Sequence, residues 1–338
     1  MMDYSGVYTS EFAMRRVDPE TWGDTGDPIP VAGLSISYSA TDSAPLLQTA
    51  TVDVDEAVSG WYRFYMTATQ RESEKAALGT FLFRTTSIDH GHGMSATTAK
   101  GDSVLKPVEF VHTLGEYAPA GADGAAFAAS ILSASTPAPV ICDGSFTLAQ
   151  PVVFEPGTSK LAAVWALLDA GDFCIRLDGD GTIHVTPKPE DGGISITRDN
   201  LGMFLTGIEE SMEVDQPNRY IAVQDGSVAI AENRDGDNPL SYKTRGYWVE
   251  VYDSSAVRVN GETLAAYAQR RLKEESVLVR SVSYKREFMP EEGVFSMVRA
   301  DLGDYGLVGT GRVASGSMEC GHGITVSETA VFKEDIWS

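Results

Sequence analysis

The sequence predicts a mainly β (α+β) fold, with an α/β insertion between two small β-barrel-like domains. Short runs of alternating apolar and polar residues fill both ends of the chain. Aspartate recurs beside glycine and proline, which is the turn chemistry of a β-rich protein. Two stretches with helical spacing of apolar residues lie in the middle. The predicted divisions are an N-terminal arm (1–30), a first β domain (31–105), an α/β middle domain (106–200) and a second β domain with one helix (201–338).

The N-terminal arm leads into the first β domain. Its glycine, proline and aspartate residues predict a long loop over residues 18–30. After the arm, alternating and aromatic runs predict strands at residues 34–38, 49–55, 61–66 and 80–88. Strands at this density, bounded by glycine, aspartate and proline, favour a small barrel or sandwich.

The strand at residues 61–66 is heavily aromatic on both of its faces. Alternation gives one face formed by Trp61, Arg63 and Tyr65 and another formed by Tyr62, Phe64 and Met66. Bulky side chains on both sides favour a strand packed between its own core and a neighbouring domain or subunit. The candidate inter-subunit or inter-domain packing residues are Trp61, Tyr62, Phe64, Tyr65, Trp165 and Trp248. A sugar-stacking platform built on the exposed aromatic rings is the alternative interpretation.

Two helices are predicted in the middle domain. Residues 123–133 are rich in alanine, which loses no side-chain entropy in a helix. The second helix can be capped by Thr158 or Ser159, and we expect Gly171 to end it as a C′ glycine. Its apolar stripe consists of Leu161, Val164, Trp165 and Leu168.

A hairpin follows the second helix at once. Residues 173–177 and 182–186 are strand-like, and Asp178-Gly179-Asp180-Gly181 between them tolerate positive φ. A lone helix and a lone hairpin are each marginal in water. We therefore expect this helix–hairpin unit to dock on another part of the protein.

The second β domain begins with the strongest short hairpin signal in the chain, Asp225-Gly226 between two apolar strands. A loop is predicted at residues 233–240, and a helix at residues 262–275. Further strands are predicted at residues 247–252, 277–284, 294–300 and 311–328.

Charge and composition exclude several classes of protein. The net charge of −22 argues against specific nucleic-acid binding, because gripping a phosphate backbone requires a basic surface. No run of 18 apolar residues predicts a membrane span, and the N-terminus does not resemble a signal peptide. We therefore expect synthesis in a cytoplasm. The cysteines Cys142, Cys174 and Cys320 lack metal-site spacing and are predicted to be buried thiols.

No catalytic, cofactor-binding or metal-binding residue is predicted. The nucleophile, zincin and P-loop motifs are absent from the sequence. The turn at Asp178 begins like a calcium loop, but its twelfth position is Pro189 instead of glutamate, so a hairpin turn is favoured. The segment at residues 235–238 is interpreted in the same way. His90 and His92 have no third ligand nearby in sequence, which favours a polar turn.

The order of these features resembles that of siphophage tail-tip or baseplate hub proteins. The resemblance rests on Phe154 to Ser159 and the helix ending in Leu167-Leu168-Asp169-Ala170-Gly171, on Leu78 to Phe83, on Asn218-Arg219-Tyr220, on Asn238-Pro239-Leu240 and on Thr263 to Ala268. The wider family includes the hubs of contractile tails and the trimeric base of type VI secretion spikes. Near the C-terminus, Met289 to Val294 depart from the strand-leading pattern typical of the family.

The resemblance implies a structural, non-enzymatic tail protein in the virion, at the distal end of the tail. A homotrimer would form a ring with pseudo-sixfold symmetry, although no internal repeat is visible in the sequence. The implied partners are the tail tube or distal tail protein, the tape measure protein, and tip, spike or receptor-binding proteins. The host cell surface would be reached indirectly, and DNA would pass through the lumen. The alternatives are a carbohydrate- or receptor-binding tail module and, third, a cell-wall hydrolase.

Overall fold

A computed structural model of the chain confirms the mainly β fold. It describes residues 9–31, 33–41, 44–54, 57–70, 73–91, 94–190, 193–197, 209–213, 215–254, 256–259, 261–289, 292–303, 307–321, 323–334 and 336–337.

Antiparallel strands form the N-terminal part of the protein. They are β1 (Thr9–Val17), β2 (Asp24–Pro30), β3 (Gly33–Thr41), β4 (Ala44–Val54), β5 (Gly60–Thr69), β6 (Ser73–Gly91) and β7 (Met94–Ser103). The loop predicted over residues 18–30 is therefore wrong for its second half, where β2 pairs with β1. Pro28 and Pro30 are compatible with a strand here because β2 is the last strand of the sheet, where missing N–H donors leave no neighbour unpaired.

The middle of the chain combines helices with short strands. Its elements are α1 (Lys106–Phe110), β8 (Tyr117–Ala118), α2 (Gly124–Ser133), β9 (Val140–Cys142), β10 (Val152–Val153), α3 (Lys160–Ala170), β11 (Phe173–Leu177), β12 (Ile183–Pro187) and β13 (Ile194–Thr197). The two predicted helices are confirmed as α2 and α3, and the predicted hairpin as β11–β12. The Asp123 carboxylate caps α2 by accepting from the backbone N–H groups of Ala125 and Ala126.

The glycine at the end of α3 serves packing instead of a left-handed turn. Gly171 has φ −94°, and the left-handed residue is Asp172 with φ 57°. A Cβ on Gly171 would lie 2.4 Å from the Phe146 ring, and one on Gly124 would lie 2.1 Å from the same ring. Phe146 is thus wedged between the ends of α2 and α3, in space that only glycine leaves open.

The C-terminal part returns to strands. Its elements are β14 (Glu209–Glu213), β15 (Arg219–Gln224), β16 (Ser227–Glu232), α4 (Tyr242–Arg245), β17 (Glu250–Asp253), α5 (Leu264–Glu275), β18 (Leu278–Glu287), β19 (Met297–Leu302), β20 (Leu307–Cys320) and β21 (Ile324–Glu334). The predicted hairpin is confirmed as β15–β16, with Asp225 at φ 48° and Gly226 at φ 74°, as a type I′ turn requires. The helix predicted at residues 262–275 is confirmed as α5.

The strand predicted at residues 247–252 begins later, at Glu250. The reason is the buried side chain of Asn218. Its Nδ2 donates to the Tyr247 carbonyl (3.0 Å), and its Oδ1 accepts from the Val249 N–H (2.8 Å). These bonds replace a strand partner and hold residues 247–249 as a connection.

One hydrogen-bonded sheet joins both ends of the chain. Thirteen of the described strands belong to it, in the order β14-β18-β21-β20-β3-β4-β7-β6-β5-β1-β2, with β19 beside β20 and β13 beside β19. The antiparallel pairing of β20 with β3 connects C-terminal to N-terminal strands. The remaining strands form the small sheets β10-β8, β11-β12-β9 and β16-β15-β17. The region predicted as a second β domain thus divides between the main sheet and the small β16-β15-β17 sheet.

The core next to the β20–β3 junction contains a buried ion pair. The Arg286 guanidinium donates twice to the Glu328 carboxylate, from Nε and Nη2, each at 2.7 Å. The Tyr38 hydroxyl of β3 donates to the same carboxylate at 2.7 Å, and burial raises the pKa of Tyr38. Because β3, β18 and β21 all contribute to this cluster, it fixes N-terminal strands against C-terminal ones.

Substitution Arg286→Met should destabilise the protein strongly, because it leaves the Glu328 carboxylate buried without a counter-charge. We expect the free energy of unfolding to fall by about 3–5 kcal/mol, measured by thermal and chemical denaturation. Arg84→Met is the matched control, since the Arg84–Asp102 pair is largely exposed and is worth less than about 1 kcal/mol. Equal losses in the two variants would contradict the assignment.

Candidate functional site

Strand β5 separates two hydrophobic cores, as its two bulky faces require. Tyr62 and Phe64 lie in the core of the N-terminal strands, where Phe64 meets Phe81 and Phe83 edge-on at 6.0 and 5.8 Å. Trp61 points to the other side and belongs to the core built by α2, α3 and β11–β12.

The middle of β5 holds the contact that docks the predicted helix–hairpin unit. We call Arg63 and the four residues that it brings together, Trp22, Asp24, Thr80 and Asp180, the Arg63 anchor. The side chain of Arg63 is 9% exposed and pairs with the Asp24 carboxylate at 2.9 Å. Its Nη2 donates to the carbonyls of Asp180 (2.8 Å) and Trp22 (3.1 Å), and its Nε donates to the Thr80 hydroxyl (3.1 Å). One guanidinium therefore binds the β1–β2 turn, β6 and the tip of the β11–β12 hairpin.

The glycines of the hairpin tip allow this close approach. A Cβ on Gly179 would lie 2.0 Å from the Ala77 carbonyl oxygen, and one on Gly181 would lie 2.8 Å from Thr80 Cβ. The Trp22 indole N–H donates to the Asp180 carbonyl at 3.0 Å. The Asp-Gly-Asp-Gly sequence thus forms a docking turn, which agrees with a hairpin turn in preference to a calcium loop.

Tyr65 lies at the rim of the Arg63 anchor. Its hydroxyl donates to the Asp24 carboxylate at 2.6 Å, and burial together with this bond raises the pKa of Tyr65. The Lys75 ammonium lies over the ring, 3.5 Å from its centroid.

A second contact joins the middle segment to the C-terminal strands. The Trp165 ring of α3 stacks on Phe295 at 6.4 Å with an interplanar angle of 20°. Phe295 is buried and has φ 67°, a conformation that is costly for a bulky residue. At the end of α3, the Asp169 carboxylate pairs with Arg271 of α5 at 2.8 Å.

Trp248 lies apart from the other candidate residues, beside the small β16-β15-β17 sheet. Its ring stacks on Tyr242 at 4.4 Å. The guanidinium groups of Arg219 and Arg234 lie 5.1 and 4.8 Å from the ring centroid. The six predicted packing residues therefore occupy three places: β5, the α3–Phe295 contact and the small sheet.

The sequence did not identify Trp22, Asp24, Asp180 or Phe295 as contact residues. Of the residues in the Arg63 anchor, the local sequence could have indicated Arg63 itself. A single cation within an aromatic strand must be paired when the strand is buried. The partners come from segments far apart in the chain, which local patterns do not reveal.

The titratable groups do not assemble a metal site in the described ranges. His184 of β12 is hydrogen-bonded through Nε2 to Asp178 (2.9 Å) and through Nδ1 to Asp143 (3.2 Å). Because these nitrogens lie on opposite sides of the ring, the two carboxylates cannot share one ion with His184. His92, part of the predicted polar turn, lies outside the described residues.

The three cysteines are free, and the prediction that all are buried is wrong for one. Burial raises the pKa of Cys174 to about 11 and that of Cys320 to about 12. Cys142 is exposed, because it lies on β9 at the edge of its sheet.

Comparisons with known proteins find similarity in structure and not in sequence. No protein-family model and no curated protein matches. A tail protein from Neisseria meningitidis matches with a TM-score of 0.69 at 11% identity, over 97% of this chain and 98% of that chain. The 43 kDa tail protein of prophage MuSo2 from Shewanella oneidensis matches with a TM-score of 0.61 at 12% identity, over 95% and 97%. The chain therefore shares the fold of these two tail proteins.

A secretion protein also has a similar fold. An Escherichia coli component of the type VI secretion system, described as structurally similar to the phage T4 tail proteins gp27 and gp5, matches with a TM-score of 0.52. Its identity is 10%, and the match covers 90% of this chain and 74% of that chain. The resemblance to tail hub proteins noted in the sequence is thus confirmed at the level of fold. In the described part of this tail-fold chain, no helix has the length and apolar character needed to span a bilayer.

Arg63→Met should undock the hairpin tip from the sheet of this tail fold. It removes the donors to Asp24 and Asp180, so we expect a loss of about 2–3 kcal/mol of stability. Amide hydrogen exchange should accelerate selectively at residues 178–182. The control is Arg16→Met, at an exposed position on neighbouring β1. Unchanged exchange at the tip in Arg63→Met would contradict the docking role.

His184 should make the stability of the chain depend on pH. Burial lowers its pKa, but the hydrogen bonds and charges of Asp143 and Asp178 outweigh this and raise the pKa above 6.5. A raised pKa means that protonation favours the folded state, so the contribution is full below pH 6.5 and is lost as pH rises through the folded-state pKa. We expect the melting temperature to fall less between about pH 6 and pH 8 in His184→Gln than in the natural chain. Identical pH profiles would refute this contribution.

Proposed function

We propose that this chain is a structural phage tail protein that forms a homotrimeric hub at the distal end of the tail. The observation that supports it is the similarity to a tail protein along nearly the full length of both chains, 97% and 98%. The similarity to a type VI secretion component described as resembling gp27 and gp5 favours a hub within the class of tail proteins.

The internal architecture suits a component that must transmit force between partners. The β20–β3 pairing, the Arg63 anchor and the Trp165–Phe295 stack connect the N-terminal strands, the middle segment and the C-terminal strands. Each contact is buried or made by backbone groups, so the parts resist sliding relative to one another. A ring built from such subunits can join the tail tube or distal tail protein, with its tape measure protein, to tip, spike or receptor-binding proteins.

The net charge supports passage of DNA without binding. At −22 per chain, a ring of copies presents a strongly negative field to a phosphate backbone. In the proposed hub, DNA therefore passes through the lumen without being retained, and the ring gates the passage during ejection.

The two tryptophans Trp61 and Trp248 do not favour the carbohydrate-binding alternative. Trp61 is buried in the core built by α2, α3 and β11–β12. Trp248 stacks on Tyr242 and is approached by two guanidinium groups. We propose a non-enzymatic role for the same chain, in place of a cell-wall hydrolase.

The purified chain should form a threefold ring with a central opening or plug. Native mass spectrometry should give three times the 36.3 kDa of one chain, and electron microscopy of the same sample should give threefold class averages. A compact monomer at high protein concentration would contradict the hub as proposed.

A further inference from the structure

The end of the main sheet is connected to the region of the small β16-β15-β17 sheet. Strand β21 belongs to the main sheet and ends at Glu334. Ile336 and Trp337 follow it, and they contact two other parts of the chain. One is the end of α5, and the other is the stretch that leads from β16 to β17. Two residues therefore bridge two different sheets.

Trp337 contacts the C-terminal end of α5. Its ring packs, partly buried, against the apolar core that α5 forms with the small sheet. Its indole N–H donates to the carbonyl of Ser276, the residue that caps α5, at 3.1 Å. The Lys273 ammonium lies 5.8 Å from the centroid of the ring. Trp337 thus combines apolar contact, a hydrogen bond and a nearby cation at one helix end.

Ile336 contacts a buried asparagine. The Asn238 side chain is buried, and its Nδ2 donates to the Ile336 carbonyl at 3.0 Å. Its Oδ1 accepts from the Leu240 N–H at 2.9 Å. A buried amide donor that loses its acceptor is costly, because water does not replace the bond. The position of Asn238 therefore depends on the residues that follow β21.

A second buried asparagine continues this connection. Asn218 donates from Nδ2 to the Leu240 carbonyl at 3.1 Å, and its Oδ1 accepts from the Val249 N–H at 2.8 Å. Leu240 is thus held through its N–H by Asn238 and through its carbonyl by Asn218. A continuous set of hydrogen bonds therefore leads from Ile336 to the residue before β17.

These bonds hold a segment that carries exposed functional groups. We call residues 238–249 the Trp248 segment. It contains α4 and the stack of Trp248 on Tyr242 at 4.4 Å. Within it, the Thr244 hydroxyl donates to the Asn238 carbonyl at 2.8 Å, which fixes its own turn. The Arg245 guanidinium donates to the Gln216 carbonyl at 2.6 Å, so the segment stays tethered to β15 whatever happens at Asn238.

We propose that Ile336 and Trp337 form a latch by which the end of the main sheet controls the order of the Trp248 segment. In the closed state seen here, Asn238 has its acceptor and the core beside α5 is covered. In the open state the segment gains freedom while both sheets stay paired, because the latch bonds lie outside the strand ladders. A partner that displaces Trp337 then changes the surface around Trp248 from a distance. All of these contacts lie within one chain, so the latch does not rest on the proposed trimer.

Amide hydrogen exchange in the whole chain tests the latch. Trp337→Ala removes the ring and the indole donor. We expect exchange in residues 238–249 to accelerate about tenfold, the effect of losing one buried hydrogen bond, while β18, β20 and β21 keep their protection. Glu334→Gln is the matched control at the end of β21. Its pair with Arg280 is largely exposed, and the substitution should leave exchange unchanged.

A second variant separates the ring of Trp337 from its donor, and it serves as the test if the alanine variant does not fold. Trp337→Phe keeps an aromatic ring against the core but cannot donate to the Ser276 carbonyl. We expect an acceleration smaller than that in Trp337→Ala. Trypsin gives an independent measurement, because Lys243 and Arg245 lie within the Trp248 segment. Cleavage after them should become faster in the same order of variants.

The distribution of the exchange rates decides the inference. Acceleration concentrated in the Trp248 segment supports the latch. Equal acceleration in both sheets means that Trp337 stabilises the whole protein, which overturns it. Acceleration confined to α5, or none at all, overturns it as well. The mass of the assembly is measured separately and decides the hub, so either proposal can fail while the other stands.

Discussion

The buried guanidinium of Arg63 is the constraint on which the arrangement of the middle segment depends. A guanidinium with so little exposure must have its N–H groups hydrogen-bonded. Here the acceptors are supplied by Asp24, Thr80, Trp22 and Asp180. Four separate parts of the chain therefore have to meet at one point before the charge is compensated. The glycines of the hairpin tip follow from this requirement, because any side chain at Gly179 would collide with β6.

A second buried arginine, Arg286, lies near the other end of the main sheet. The Arg286–Glu328 pair joins β18 to β21, and the Tyr38 hydroxyl of β3 reaches the same carboxylate from the far side of β20. A buried ion pair of this kind contributes little net stability compared with apolar packing, but breaking it is costly. It therefore selects one register between the N-terminal and C-terminal strands. Together the two arginines connect parts of the protein that are far apart in sequence.

These connections bear on the proposed role in a tail. A hub subunit has to keep its binding surfaces in fixed relation while it joins partners of different kinds. The small β16-β15-β17 sheet is held from one side by α5 and the Asp169–Arg271 pair. Such contacts keep the parts of the subunit in fixed relation to one another.

The sequence by itself determined the elements whose signals are local. The apolar spacing of α2, α3 and α5, and the turns of the β11–β12 and β15–β16 hairpins, were predicted because each depends on residues close together in the chain. The side-chain cap predicted for α3 was wrong, since Ser159 stands at the N-cap position without a capping hydrogen bond. The mainly β class followed from the same patterns, and so did the two-faced character of β5. Within the candidate site, the sequence identified β5, Trp165 and Trp248 as candidates but not their partners.

The tertiary structure alone decided which of these elements meet. The β20–β3 pairing, the strand at β2, the contact of Trp165 with Phe295 and the packing role of Gly171 involve residues distant in sequence or an environment supplied by them. Such contacts depend on burial, strand register and charge pairing. Each of these is decided by two segments packed together in the folded protein. A local pattern describes one segment at a time, which is why it reveals the strands but not the order in which they pair.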